Sequence, residues 1–227
     1  MLVIAHRGAS VDAPENTLEA FRLAVEQRAD MIETDLHLSR DKQIPLYHDS
    51  RVDGIDVGDL TLAELRARRP GVPTLQEALD AVGELIPFNL EIKRRGDNRT
   101  DYDGLEAAVL PLLRARGLLE KTLFSSFFDS TLERLRALEP AARIGLLISR
   151  RSTAAMQERA ARLGAEAVHP EHFLTTSELV TDLHARGHRV HVFTVDRARD
   201  QRRLDSWGVD GIFTNVPARL RLALAES

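Results

Sequence analysis

Eight short apolar runs, each followed by a longer segment with helical spacing, constrain this chain more than any other feature of its sequence. The runs are rich in Val, Ile, Leu and Phe and cover residues 2–5, 31–36, 88–92, 123–126, 144–148, 167–169, 190–194 and 211–213. Helices are expected over 17–27, 75–82, 105–116, 130–138, 153–163, 177–185, 198–207 and 218–224. Repeated strand and helix units of this kind build a parallel sheet covered by helices. Eight such pairs in 227 residues match the measure of a (β/α)8 TIM barrel. An open doubly wound sheet is the alternative, because element order alone does not show that the sheet closes. Asn16 is the expected cap of the first helix, with Glu19 three residues later as in a capping box.

Several function classes are excluded before any motif is read. No linker, low-complexity tract or fixed-period repeat divides the chain, so residues 1–227 are expected to form one barrel domain. Thirty-one basic residues against 35 acidic ones give a net charge of -4, which offers no general attraction to nucleic acid or an anionic membrane. The absence of cysteine removes disulfides, thiolate nucleophiles and thiolate metal sites. Residues 1–5 are too short an apolar stretch for a signal peptide, and no segment approaches a membrane span. A cytoplasmic protein with no stable membrane anchor is expected.

A barrel of this type carries its active site where the strands end. His6, Glu33, Asp35, Glu91, Lys93, Ser126, His169, Thr194 and Asn215 are the polar residues at those ends. Strand alternation sends Glu33 and Asp35 to one face, with Ile32, Thr34 and Leu36 on the other, and sends Asn89, Glu91 and Lys93 inward on the strand expected beside it. Two like charges about 4 Å apart repel by roughly 4 kcal/mol at an effective dielectric near 20. Three inward carboxylates must therefore bind protons or hold a cation. All-oxygen ligands favour one hard divalent ion, Mg2+ or Ca2+, while neighbouring histidines leave Mn2+ or Zn2+ open. The competing view is that each acid simply pairs with an arginine.

His6 ends the first strand and His48 follows the extended segment 44–47, so both can flank such a centre and move protons near neutral pH. Arg7 and Lys93 supply local positive charge of the kind a phosphate needs, although Lys93 is almost as well explained as a counter-ion for the acids. The remaining histidines, His37, His169, His172, His184, His188 and His191, are taken as surface or packing residues, with His169 the least secure. Gly8 is read as permitting a tight turn.

Together these residues resemble the glycerophosphodiester phosphodiesterase family. The stretches that carry the resemblance are His6-Arg7-Gly8 with Ala13-Pro14-Glu15-Asn16-Thr17, then Glu33-Thr34-Asp35, His48-Asp49, Pro73-Thr74-Leu75, Asn89-Leu90-Glu91-Ile92-Lys93, Phe193-Thr194-Val195 and Gly208-Val209-Asp210-Gly211-Ile212. They run in the family's order along nearly the whole chain. The resemblance implies a (β/α)8 barrel that hydrolyses small glycerophosphodiesters, such as glycerophosphocholine or glycerophosphoethanolamine, to glycerol 3-phosphate and an alcohol. It implies metal ligation by Glu33, Asp35 and Glu91, acid and base roles for His6 and His48, and substrate binding by Arg7, Lys93 and Phe193. Phe193 stands where the family often has tryptophan, Asp196 where it often has asparagine, and Asn215 where its pattern has aspartate. Ser50-Arg51-Val52-Asp53-Gly54 replaces a familiar run after the second histidine, and the segment from there to Gly71 is short, so a small lid-like insertion is expected. A lysophospholipase D or a phosphoinositide-type phosphodiesterase, which shares barrel chemistry but accepts lipid, is the nearest alternative, but Phe127, Phe128, Phe173 and Phe193 are few and scattered for a lipid entrance. A phosphate-binding barrel without activity is the alternative of another class.

Overall fold

The computed structural model describes residues 1–96 and 99–225, and in it the sheet closes. Its strands are β1 (Leu2–His6), β2 (Met31–Leu36), β3 (Phe88–Ile92), β4 (Leu123–Ser126), β5 (Arg143–Ile148), β6 (Ala167–Pro170), β7 (Arg189–Val192) and β8 (Gly211–Thr214). Each runs parallel to the next, and β8 returns to β1 with Leu2 opposite Gly211 and Ile4 opposite Phe213. Closure rules out the open doubly wound sheet. The helices are α1 (Leu18–Glu26), α2 (Leu62–Arg68), α3 (Leu75–Val82), α4 (Leu105–Arg114), α5 (Asp129–Leu138), α6 (Met156–Leu163), α7 (Ser177–Ala185), α8 (Ala198–Ser206) and α9 (Pro217–Ala225). No helix among the described residues is long and apolar enough to cross a membrane.

Alternation along β1 shows how the core divides. Val3 and Ala5 face outward into the layer between sheet and helices, where Phe21 and Ala24 of α1 meet them, while Ile4 points inward onto Met31, Leu123 and Phe213. Phe21 is fully buried and meets Phe88 edge-on, with ring centroids 6.0 Å apart. Such a buried aromatic stabilises the helix on the sheet by roughly 1.5–3 kcal/mol. The inner cluster fills the lower barrel and leaves its upper end to polar groups.

Two local expectations are corrected. Thr17, not Asn16, caps α1, its hydroxyl accepting from the Ala20 N–H, whereas Asn16 takes a positive φ of 55° and turns inward. The segment between β2 and β3 is also richer than expected. It forms a hairpin, Arg51–Val52 with Ile55–Asp56, and then α2, packed around Val52, Val57, Leu60, Leu65 and Val72. Asp53 and Gly54 both have positive φ, as a two-residue hairpin turn requires, and Thr61 with Glu64 forms a complete capping box for α2.

The barrel interior also holds two stacked imidazoles. His169 and His191 lie with ring centroids 5.1 Å apart, and His169 also contacts the Phe213 ring. Glycine in the barrel wall makes their room: a Cβ at Gly145 would come within 2.4 Å of His169, and one at Gly211 within 2.9 Å of His191. None of the four ring nitrogens has a hydrogen-bond partner among the described residues. Burial lowers the pKa of His191 to about 4 and, with the neighbouring ring, pushes that of His169 well below the usual value.

Protonating either ring is therefore easier in the unfolded chain. Their contribution to stability is complete above the unfolded value near 6.5 and is lost as the pH falls below it, for His191 by about 3 kcal/mol by pH 4. Urea unfolding from pH 7.5 to pH 4.5 should show a smaller loss of stability in His169→Leu/His191→Leu than in the parent. The dependence should shrink rather than vanish, because burial also lowers His6 and His37 to about 4. Equal losses in the two proteins would refute this account.

Candidate active site

The turn that follows β1 brings the first side chains into place. Arg7 has φ 58° and Gly8 φ 83°, and a Cβ on Gly8 would lie 2.7 Å from the Ala20 backbone, so α1 can approach only a glycine. The Arg7 N–H donates to Glu33 Oε2 at 3.0 Å. Register then assembles the acids. His6 pairs with Glu33 across β1 and β2, and Asp35 pairs with Glu91 across β2 and β3. Glu33, Asp35 and Glu91 each present a carboxylate oxygen within 4.8 Å of the others. They are 3%, 1% and 8% exposed, so water screens them poorly.

Two cations enter this cluster. Lys93 Nζ lies 2.6 Å from Glu91 Oε1 and 2.8 Å from Asp35 Oδ1, and Arg7 Nε lies 3.4 Å from Asp35 Oδ2 while its other arm reaches Glu15 at 2.9 Å. Asn16 Nδ2 donates to Asp35 Oδ2 at 2.8 Å and its Oδ1 accepts from Thr34 Oγ1, so this residue braces an acid from behind. Asp35 is thus well compensated. Burial alone would raise its pKa, but Lys93 and then Arg7 hold it below the usual carboxylate range. Glu33 is the opposite case, pushed well up by burial and by the charges of Asp35 and Glu91. Glu91 is also raised, by burial first, with Lys93 opposing and Asp35 adding to the shift. Lys93 is raised too, since Asp35 and Glu91 outweigh its burial.

Simple arginine pairing therefore describes only part of this cluster. Three acids face two cations, one of them shared with Glu15, and Glu33 contacts no lysine or arginine side chain within 4.0 Å among the described residues. The excess negative charge, the all-oxygen donor set and the closeness of the three carboxylates fit one hard divalent cation.

Both histidines reach the same place. His6, His48, Glu33, Glu91, Arg7 and Lys93 line a cavity of about 190 Å³, with Phe193 and Phe127 as its apolar wall, their rings edge-on at 5.9 Å. His6 is held by Asn215, with Nδ1 2.7 Å from Oδ1, and its Nε2 lies 4.0 Å from Glu33 Oε2. Burial, and then the charge of Arg7, lower its pKa to about 4, so the ring is neutral at pH 7. His48 is more open, with a 39% exposed side chain, and its Nδ1 sits 2.8 Å from Asp49 Oδ1. A wider cavity of about 560 Å³ adjoins the first and shares His48, Glu91, Lys93 and Phe127 with it, adding Arg94, Phe128 and Ser149.

Not every strand-end residue serves the cavity. Ser126 turns outward and donates to the Ile92 carbonyl, whereas Ser125, one residue earlier, faces in and accepts from Asn89 Nδ2 at 2.9 Å. His169 lies deeper, in the stacked pair. Ser125 and the inward role of Asn16 are what a reading for acids and bases passes over, and the contact of Asn215 with both Asp196 and His6 is not visible in the sequence. Strand parity counted from Leu123 would have found Ser125.

Residues 6–219 match the Glycerophosphoryl diester phosphodiesterase family. The chain is 34% identical to the glycerophosphodiester phosphodiesterase of Caldanaerobacter subterraneus subsp. tengcongensis, over 96% of each chain. It is 29% identical to the glycerophosphodiester phosphodiesterase of Bacillus subtilis, over 96% of this chain and 84% of that one. Among solved structures it is similar to an Oleispira antarctica phosphodiesterase in complex with the product sn-glycerol-3-phosphate. The two share 30% identity at a TM-score of 0.87, over 99% of this chain and 97% of that one. The glycerophosphodiester phosphodiesterase of Thermotoga maritima superposes at a TM-score of 0.79 and 26% identity, over 99% and 98% of the two chains.

The acid cluster has a pH signature of its own. A carboxyl whose pKa is raised by folding contributes stability below its unfolded value and loses it as the pH rises through the folded value. In EDTA, the stability of Glu33→Gln relative to the parent should therefore improve steadily as the pH rises from 4.5 to 8. Lys93→Met should instead cost about 3–5 kcal/mol, because it leaves buried Glu91 without its counter-charge and Asp35 with Arg7 alone. Urea midpoints across pH check both, and a Glu33→Gln difference that does not change with pH would contradict the first.

Proposed function

Because the chain belongs to the glycerophosphoryl diester phosphodiesterase family, we propose that it hydrolyses small glycerophosphodiesters to glycerol 3-phosphate and an alcohol at the upper mouth of the barrel. The observation that carries this reading is a cluster of three buried carboxylates, of which Glu33 and Glu91 line one cavity together with two histidines and two cations. The similarity to a phosphodiesterase holding sn-glycerol-3-phosphate supports the same product. The whole chain, residues 1–227, is taken as one catalytic domain.

Glu33, Asp35 and Glu91 would hold one divalent ion, Mg2+ or Ca2+ with Mn2+ as the next choice, and the bound ion supplies positive charge against the anionic diester. Arg7 offers a fork of N–H donors to phosphate oxygens and Lys93 a point charge beside them. Lys93 thereby joins both of its expected roles, since the same ammonium that tempers the acids faces the cavity. Phe193 and Phe127 give the substrate's carbon atoms an apolar wall and help to exclude water. His6 and His48 exchange protons with the attacking and departing oxygens.

Magnitudes apportion the work. Hydrolysis of a phosphate ester needs on the order of 20 kcal/mol of assistance, and one general acid or base contributes roughly 100- to 10,000-fold. Charge stabilisation and positioning must therefore supply the larger share. Lipid-cleaving chemistry is less well supported, because of the four phenylalanines that could form an apolar entrance only Phe127 and Phe193 line the deep cavity.

Release of glycerol 3-phosphate from glycerophosphocholine or glycerophosphoethanolamine tests the reading. EDTA should suppress turnover and added Mg2+, Ca2+ or Mn2+ restore it. His6→Ala should lower kcat by about 100- to 10,000-fold, and Glu33→Ala should weaken the response to added metal. Turnover that survives chelation and both substitutions would defeat the proposal.

A further inference from the structure

A carboxylate outside the cavity decides where the proton on His6 resides. Asp196 lies beyond the end of β7 and Asn215 just beyond β8. Asp196 Oδ2 accepts from Asn215 Nδ2 at 2.7 Å, and Oδ1 accepts from the Asn215 backbone N–H at 2.7 Å and from Thr214 Oγ1 at 3.0 Å. A carboxylate offers only acceptors here, so the amide group facing it must be the NH2. The amide oxygen is thereby turned the other way, to His6 Nδ1 at 2.7 Å and Ser10 Oγ at 2.9 Å. A carbonyl oxygen cannot donate, so His6 Nδ1 must carry a hydrogen. In a neutral ring the lone pair then belongs to Nε2, on the side of the ring nearest Glu33.

We infer that Asp196 is a positioning residue: acting through Asn215, it fixes His6 as the Nδ1–H tautomer and so makes Nε2 the proton acceptor of the site. The inference rests on the proposed role of His6 in proton transfer. The tautomer sets which nitrogen of His6 exchanges the proton, and with the ring unprotonated at the start of the cycle His6 is the base and His48 the acid. A water molecule gives one proton to His6 Nε2 as its oxygen bonds to phosphorus. As the phosphorus–oxygen bond to the alcohol breaks, the departing oxygen takes a proton from His48, at the nitrogen that Asp49 does not hold. Solvent then returns one proton to His48 and removes one from His6, which restores the starting state.

The relay can be tested on the full chain by 15N NMR of the histidine rings alongside steady-state kinetics. In the parent, His6 should show a protonated Nδ1 and an unprotonated Nε2. Asp196→Ala frees the Asn215 amide to rotate, so part of the population should move to the Nε2–H form, with kcat reduced about tenfold or more and KM little changed. The exchanged pair Asp196→Asn/Asn215→Asp should recover both tautomer and turnover, because a carboxylate at 215 also accepts from Nδ1. An unchanged tautomer in Asp196→Ala overturns the inference, whether kcat is kept or lost, since a loss without a tautomer change means that Asp196 only braces its loop. Full turnover in His6→Ala would instead defeat the catalytic reading of His6 itself, and the NMR result would remain interpretable.

Discussion

The register between β2 and β3 is the constraint on which the site depends. Asp35 lies opposite Glu91, and Glu33, two residues earlier, shares their face of the sheet. Neither placement can be changed alone, because a one-residue slip would turn every side chain of the strand to the other face. The ladder thus forces acids together against roughly 4 kcal/mol of repulsion for a pair about 4 Å apart at moderate dielectric. The same periodicity supplies part of the remedy, since Lys93 follows Glu91 by two residues and bridges Glu91 and Asp35. The turn at Arg7 and Gly8 and the inward Asn16 both converge on Asp35, so the elements around the β2 end are organised about one compensated carboxylate and one uncompensated one.

Burial acts on this barrel twice, with opposite results. At the upper end it pushes Glu33 and Glu91 toward their protonated forms, and in the packed interior it holds His169 and His191 neutral. Both arrangements disfavour the charged state. The upper one is answered by nearby cations and leaves a surplus of negative charge that a divalent ion can satisfy. The lower one is answered only by packing, with Gly145 and Gly211 making room for the rings. Protonation at low pH and deprotonation at high pH therefore strain different parts of one sheet.

The barrel was legible because strand and helix periods are long-range regularities that survive small errors at element ends. The acid cradle was legible for the same reason, since parity alone put Glu33, Asp35, Glu91 and Lys93 on one side. At Asn16 a local rule, the preference of asparagine for a helix cap, competes with a tertiary demand from Asp35 and Thr34 and loses, because Thr17 can cap instead. The hairpin and α2 were missed although Asp53-Gly54 and the Thr61 to Glu64 spacing announce them, because strands of two residues carry no readable alternation. Ser126 stands at the strand end, but direction across the sheet is what matters, and it is Ser125 that faces in. Hydrogen bonds between residues far apart in sequence, such as His6 with Asn215, leave no periodic trace at all.

Two positions at which this chain departs from the pattern it resembles turn out to touch. Asparagine is frequent at the place of Asp196 and aspartate at that of Asn215, and here the acid and the amide stand the other way round and are hydrogen-bonded to each other. A carboxylate at 215 would also present an acceptor oxygen to His6 Nδ1, so the exchange would keep the tautomer. The charge does not stay where it was. An aspartate in contact with the ring would favour the imidazolium, whereas here the carboxylate stands one amide further away and Coulomb attraction weakens with that distance. The present pair orients the proton on His6 without supplying a counter-charge in contact with the ring. Burial and Arg7 are then free to keep the ring neutral and ready to accept a proton.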